Sequence, residues 1–184
     1  MKGSYFNLRE WSIILILALS GTLFNLYLPF KAMAESLHLP GPAAGTAIFG
    51  GLMFVVWISL GRMLMEKRYG GITVAVLFAS FSILLRPWYG ILSPSFFSIY
   101  AVVALFVLGV WIEVFQGRME LIGGGLGNLS CLGITWLAFG IHLDRWPPSE
   151  YVPLLLSSSF LSGAAGVLLA RFVENFFRRA FITK

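Results

Sequence analysis

Apolar residues run along this chain in six long blocks, separated by short stretches that are polar or contain proline. The blocks cover residues 11–30, 42–61, 70–85, 95–115, 121–141 and 152–170, with an alternative end for the third at residue 92. Each block is close to the roughly 20 residues that a helix needs to cross about 30 Å of hydrocarbon. The pattern predicts an all-α integral membrane protein with six transmembrane helices in a single domain, residues 1–184.

The basic residues predict how these helices are oriented. Of the 13 Lys and Arg residues, all but Lys31, Arg86 and Arg145 lie in the terminal segments or in the second and fourth loops. Cytoplasmic loops of membrane proteins carry an excess of Lys and Arg. We therefore expect both termini to be cytoplasmic, with the first, third and fifth loops facing outward.

Composition agrees with a membrane protein and gives no indication of nucleic-acid binding. Apolar residues make up 58% of the chain, charged residues 11%, and the mean hydropathy is +0.86. These values lie well outside the range of soluble globular domains. Because topology explains most of the net charge of +5, the charge does not predict nucleic-acid binding.

The sequence lacks the groupings of side chains that catalysis or metal binding usually needs. The two histidines, His38 and His142, fall in different loops, and no helix carries a pair of them. Glu113 and Glu120 flank the predicted cytoplasmic end of helix four, where Arg118 can neutralise either. We expect neither an enzyme nor a protein with a bound metal or cofactor.

Aromatic and hydrogen-bonding residues gather instead at the predicted outer end, where they indicate a ligand site. An aromatic belt, in which Trp and Tyr mark both membrane interfaces, is the alternative interpretation of these residues. Asn128 lies near the centre of helix five, where an amide either bonds a neighbouring helix or contacts a ligand. The predicted substrate-binding residues are Glu35, Trp88, Tyr89, Asn128, Trp136, His142, Glu150 and Tyr151.

Three short motifs carry a resemblance to a known family. They are Leu-Pro-Gly-Pro-Ala-Ala-Gly at residues 39–45, the pair Gly50-Gly51, and Lys-Arg-Tyr-Gly-Gly at residues 67–71. With six helices in under 200 residues, they make the chain resemble the substrate-binding S components of energy-coupling factor (ECF) vitamin transporters.

The resemblance implies a micronutrient binder without catalytic activity, in a prokaryotic plasma membrane. Such a subunit works with a membrane scaffold (T) subunit and two cytoplasmic ATPases. Loop one closes over the pocket in this family, and Glu35 and the outer aromatic residues occupy equivalent places. The mixture of acids and aromatic rings resembles sites for thiamine-like vitamins, in which rings stack on the ligand and carboxylates face its cation.

Two other classes remain open on the residues alone. A structural or assembly subunit of a larger membrane complex would use the outer aromatic residues only as a belt. A small integral-membrane enzyme would need a catalytic group that the sequence does not display.

Overall fold

The apolar blocks form helices in the computed structural model, which describes residues 5–28, 33, 36–38, 43–65, 67–85 and 97–182, with backbone only for residues 118 and 177–182. No strand occurs in these segments. Six helices carry the fold: α1 (Leu8–Tyr27), α2 (Ala44–Met65), α3 (Gly70–Leu85), α4 (Phe97–Val114), α5 (Glu120–Leu143) and α6 (Val152–Ile182).

The lengths of the helices fit most of the predicted spans. Five of them are long and apolar enough to cross a membrane, whereas α3 has only 16 residues. Helix α6 continues to Ile182, beyond the predicted end at residue 170. At 1.5 Å per residue its 31 residues reach about 46 Å, more than the hydrocarbon thickness of about 30 Å. The all-helical prediction is thus confirmed, and the direction of insertion stays a prediction.

Helix α2 is the central helix of the bundle. It packs against each of the other five helices, and the remaining neighbouring pairs are α1 with α3, α3 with α4, α4 with α5, and α5 with α6. More of α2 is buried inside the protein than of any other long apolar helix in the described segments. The residues of α2 therefore decide how the surrounding helices fit together.

Glycines allow the backbones of α2, α5 and α6 to approach closely. A Cβ atom on Gly51 would collide with the Ser162 carbonyl, and one on Gly163 would collide with the carbonyl of Gly124. In lipid, packing at small residues replaces the hydrophobic force that drives helices together in water. These contacts hold the three helices at a fixed spacing.

One turn of α2, Gly51–Val55, is π-helical. Such turns leave backbone groups without their usual partners, and they are frequent at functional sites. Side chains from two neighbouring helices satisfy this backbone: Asn25 Nδ2 donates to the Met53 carbonyl at 3.2 Å, and Ser162 Oγ accepts from Gly51 N–H at 3.0 Å. Ser162 Oγ also donates to the Ile48 carbonyl at 2.6 Å. The irregular turn is therefore fixed by contacts with α1 and α6.

Candidate functional site

A partly open apolar cavity of about 80 Å³ lies between α2, α4 and α5. It extends from the middle of these helices toward the end where α2 and α4 begin and α5 finishes. No described residue in its wall carries a formal charge. The wall contains Ala43, Thr46, Phe54, Phe97, Ala101, Ala104, Leu105, Cys131, Thr135 and Phe139.

Helical spacing brings the wall residues together. Cys131, Thr135 and Phe139 follow one another at intervals of four residues, so they share one face of α5. Thr135 Oγ1 donates to the Cys131 carbonyl at 2.8 Å, and Cys131 Sγ donates to the Ala104 carbonyl at 3.3 Å. The polar groups on this face thus already use their hydrogens within the protein.

Ala43 stands at the rim of the cavity with a left-handed backbone, φ 60°, directly before α2. For a residue with a Cβ atom this conformation costs roughly 1–2 kcal/mol. Strained backbone persists where the surrounding structure fixes it, and it clusters at binding sites. The position of Ala43 therefore adds weight to the cavity as the candidate site.

None of the sequence-predicted residues that the structure describes lines this cavity. His142, Glu150 and Tyr151 lie at the same end of the bundle and are exposed. The Tyr100 hydroxyl is 3.2 Å from His142 Nε2, and the two rings meet edge to face with centroids 5.6 Å apart. Glu35, Trp88 and Tyr89 lie outside the described residues.

Trp136 is a packing residue in this structure. It is 8% exposed and belongs to a small cluster with Ala44, Ala47, Leu132 and Leu155, which joins α2, α5 and α6. Its neighbour along α5, Thr135, lines the cavity, so Trp136 packs on the adjoining face of the same helix.

Replacing Trp136 with alanine is expected to cost about 3–5 kcal/mol of unfolding free energy, as is typical for large aromatic side chains in a core. Trp146→Ala is the matched control, because Trp146 is 53% exposed. Denaturant unfolding of both variants in detergent checks this. A Trp136→Ala protein as stable as Trp146→Ala would contradict the packing role.

Asn128 joins three helices and is completely buried. Its Nδ2 donates to the carbonyl and the hydroxyl of Ser159 on α6 at 2.8 and 3.1 Å, with a longer contact of 3.5 Å to the Thr46 carbonyl on α2. A Cβ atom on Gly50 would collide with Asn128 Oδ1, so the amide fits against bare backbone. The interhelical hydrogen bond, one of the two sequence interpretations of Asn128, is present.

Ion pairs brace the bundle at the end that carries Lys67, Arg68 and Arg171, which we call the basic end. All three ion pairs found among the described residues lie there. Arg62 Nε is 3.1 Å from Glu113 Oε2. The two atoms form an ion pair, but their geometry does not allow a hydrogen bond.

The Arg62–Glu113 pair is part of a larger network. Arg62 also donates to Gln116 Oε1 at 2.6 Å and to the Lys67 carbonyl at 3.1 Å. Glu113 Oε1 accepts from the backbone N–H of Gly71 at 2.8 Å. The network ties α2, α3 and α4 together.

The other two pairs attach α1 and α6 to the same end. Lys67 Nζ lies 2.7 Å from Glu10 Oε2. Arg171 Nη2 lies 2.8 Å from Glu120 Oε2 and donates to the Gly117 carbonyl at 3.0 Å. These contacts tie α1 to the turn before α3, and α6 to α5, at the basic end.

Comparisons of this chain with models of protein families, with curated proteins and with solved structures found no match.

The cavity does not stand out in the sequence, because its wall is made of ordinary apolar residues. Phe54, Phe97 and Phe139 look like lipid-facing or core residues in an apolar block. The four-residue spacing of Cys131, Thr135 and Phe139 was the one available signal, since it places two weakly polar groups on a single face of α5. Without the positions of α2 and α4, that spacing does not indicate a cavity.

Proposed function

We propose that this chain is the substrate-binding (S) subunit of an ECF-type transporter that takes up a vitamin or vitamin precursor across a prokaryotic plasma membrane. It binds its ligand from outside and performs no chemistry. A membrane scaffold (T) subunit and two cytoplasmic ATPases supply the energy. The architecture of six helices with short turns at the basic end supports this proposal, together with the motifs around residues 39–45 and 67–71.

The observation that carries the proposal is the position of the cavity. It lies toward the end opposite the basic end, and the positive-inside rule assigns that opposite end to the outside. A concave, mostly apolar site with a few polar groups is the usual form of a small-molecule site. His142, Glu150 and Tyr151 are exposed at the same end, so they are available to a ligand that enters from there.

The orientation is tested by cysteine labelling on intact cells. Ser36→Cys and Ser149→Cys are expected to react with a membrane-impermeant maleimide, because both positions are exposed and lie in the first and fifth loops. Met119→Cys, exposed in the turn after α4, is expected to react only after the cells are opened. The unsubstituted protein is the control, since its Cys131 is buried. The reverse pattern would place the cavity on the cytoplasmic side and overturn the proposal of uptake.

The binding function is tested by native mass spectrometry of protein purified without added ligand. The proposal expects a discrete small molecule that remains bound and is released on denaturation. It also expects a membrane scaffold and two ATPases to co-purify in mild detergent. Co-purification of a large membrane partner with no small molecule and no ATPase would support a structural subunit and overturn the transport proposal.

A further inference from the structure

We infer that the cavity between α2, α4 and α5 takes an uncharged, largely apolar group no larger than a single ring, and that it rejects a cationic group of the same shape. This inference rests on the proposed function, because it describes the part of the ligand that enters the protein. It replaces the thiamine-like expectation for that part, in which a carboxylate faces a cation.

The size of the cavity sets the size of the group. Its volume of about 80 Å³ is roughly half that of an engineered apolar cavity, about 150 Å³, that binds benzene. Because the cavity is partly open, a ring can insert by one edge while the remainder of the ligand stays outside. Phe54, Phe97 and Phe139 then supply the surface that contacts the inserted edge.

The wall offers few hydrogen bonds to such a group. Thr135 Oγ1 and Cys131 Sγ donate their hydrogens to backbone carbonyls of the protein. Thr135 Oγ1 keeps its capacity to accept hydrogen bonds, since a hydroxyl that donates its hydrogen still has its lone pairs. Thr46 adds a second hydroxyl to the wall. The inserted group is therefore largely apolar, with room for a weak uncharged donor such as a ring N–H.

The described wall of the cavity carries no negative charge that could pair with a cationic ligand. The described acids at the opposite end, Asp144 and Glu150, are exposed and do not line the cavity. Removing a cation from water without a paired carboxylate costs several kcal/mol. A desolvated cation–π contact returns about 2 kcal/mol or somewhat more, and tryptophan, the best ring for such contacts, is absent from the described wall. Because the cost of desolvation exceeds the gain from these contacts, the cation is excluded.

The part of the cavity wall that Phe54 forms is ordered before any ligand binds. Phe54 belongs to the π-helical turn of α2, and the next residue back, Met53, is held through its carbonyl by Asn25 of α1. A fixed wall costs less entropy on binding than one that must be ordered by the ligand.

The test compares two probes that differ in charge and share a shape: 4-methylpyridine in its unprotonated form and N-methylpyridinium, which is permanently charged. Binding to the full chain in lipid nanodiscs is measured by titration with saturation-transfer NMR. Ala104→Leu adds three carbon atoms to the cavity wall, and Ala101→Leu does the same one turn away if the first variant fails to fold. Ala165→Leu on the exposed face of α6 is the matched control for probe that partitions into lipid.

We expect the neutral probe to bind the unsubstituted protein and Ala165→Leu equally, and to lose at least about tenfold in affinity in Ala104→Leu, a change of about 1.4 kcal/mol. N-methylpyridinium is expected to bind at least about tenfold more weakly than 4-methylpyridine to the unsubstituted protein. Equal or tighter binding of the cation would overturn the inference, and so would neutral-probe binding that neither filling variant reduces.

The cavity inference and the proposed transport function can fail independently of each other. A retained natural ligand that presents a permanent cation to the cavity would overturn this inference and leave the binding function intact. Purified protein with no ligand and no ATPase partner, but with selective binding of the neutral probe, would overturn the transport proposal alone.

Discussion

Replacing Gly51 with alanine is expected to destabilise the protein by about 3 kcal/mol or more, at the upper end of the range for overpacked sites. The added Cβ atom would collide with the Ser162 carbonyl, which is backbone and cannot rotate away. Gly166 packs on the other side of the contact, against the Gly51 backbone, so α6 would have to shift as a whole. Denaturant titration of purified protein, followed by circular dichroism, measures this loss.

Gly133→Ala is the matched control. No atom outside its own helix lies within 4 Å of a Cβ atom built there. Alanine is favoured over glycine in a helix interior by up to about 1 kcal/mol, so this variant is expected to be neutral or slightly more stable. If both variants proved equally stable, α2 and α6 would not be in the close contact described above.

Replacing Arg62 with methionine is expected to cost about 3–5 kcal/mol, the usual result of removing one partner of a buried ion pair. The side chains of Arg62 and Glu113 are only 17% and 9% exposed, so water would replace only part of the countercharge that Glu113 loses. The hydrogen bond that Glu113 accepts from Gly71 N–H would remain, and one such bond does not replace a guanidinium. Thermal unfolding in detergent measures the effect.

Lys67→Met is the control. It shows how much stability is lost when any one positive charge is removed from the basic end. Lys67 pairs with Glu10, but its side chain is 39% exposed, and exposed pairs contribute about 0–1 kcal/mol. We expect Arg62→Met to lower stability several times more than Lys67→Met. Equal losses would mean that the network around Arg62 is solvated and contributes no more than a surface pair.

The helices were predicted well from the sequence because their signal is local. A run of about 20 apolar residues is enough to predict a transmembrane helix, whatever the rest of the chain contains. The prediction ended α6 at residue 170, where Arg171 begins a more polar stretch, whereas the helix continues to Ile182. Arg171 ends the apolar block but not the helix, since arginine is a good helix former. Its side chain pairs with Glu120 of α5, a contact that the residues of α6 alone do not reveal.

The predicted site residues and the cavity involve different positions, because polar and aromatic residues at one end of a bundle have several possible partners. Their role in binding stays a prediction. Trp136 packs into a core cluster, and Asn128 bonds Ser159, a residue 31 positions away in the chain. Both residues need partners, since a buried amide requires hydrogen bonds and a large buried ring requires packing contacts. Which partners they find depends on how α2, α5 and α6 are arranged.

Hydropathy and charge act over neighbouring residues, so the linear chain was enough to establish the helical class, the approximate spans and an expected orientation. The arrangement of the helices needed the three-dimensional structure. The central place of α2 and the position of its π-helical turn depend on contacts between helices far apart in the chain, several of them at glycines. The apolar cavity exists only where α2, α4 and α5 meet. Close packing in lipid is set by shape matching between distant surfaces, and a linear pattern of apolar residues does not encode that match directly.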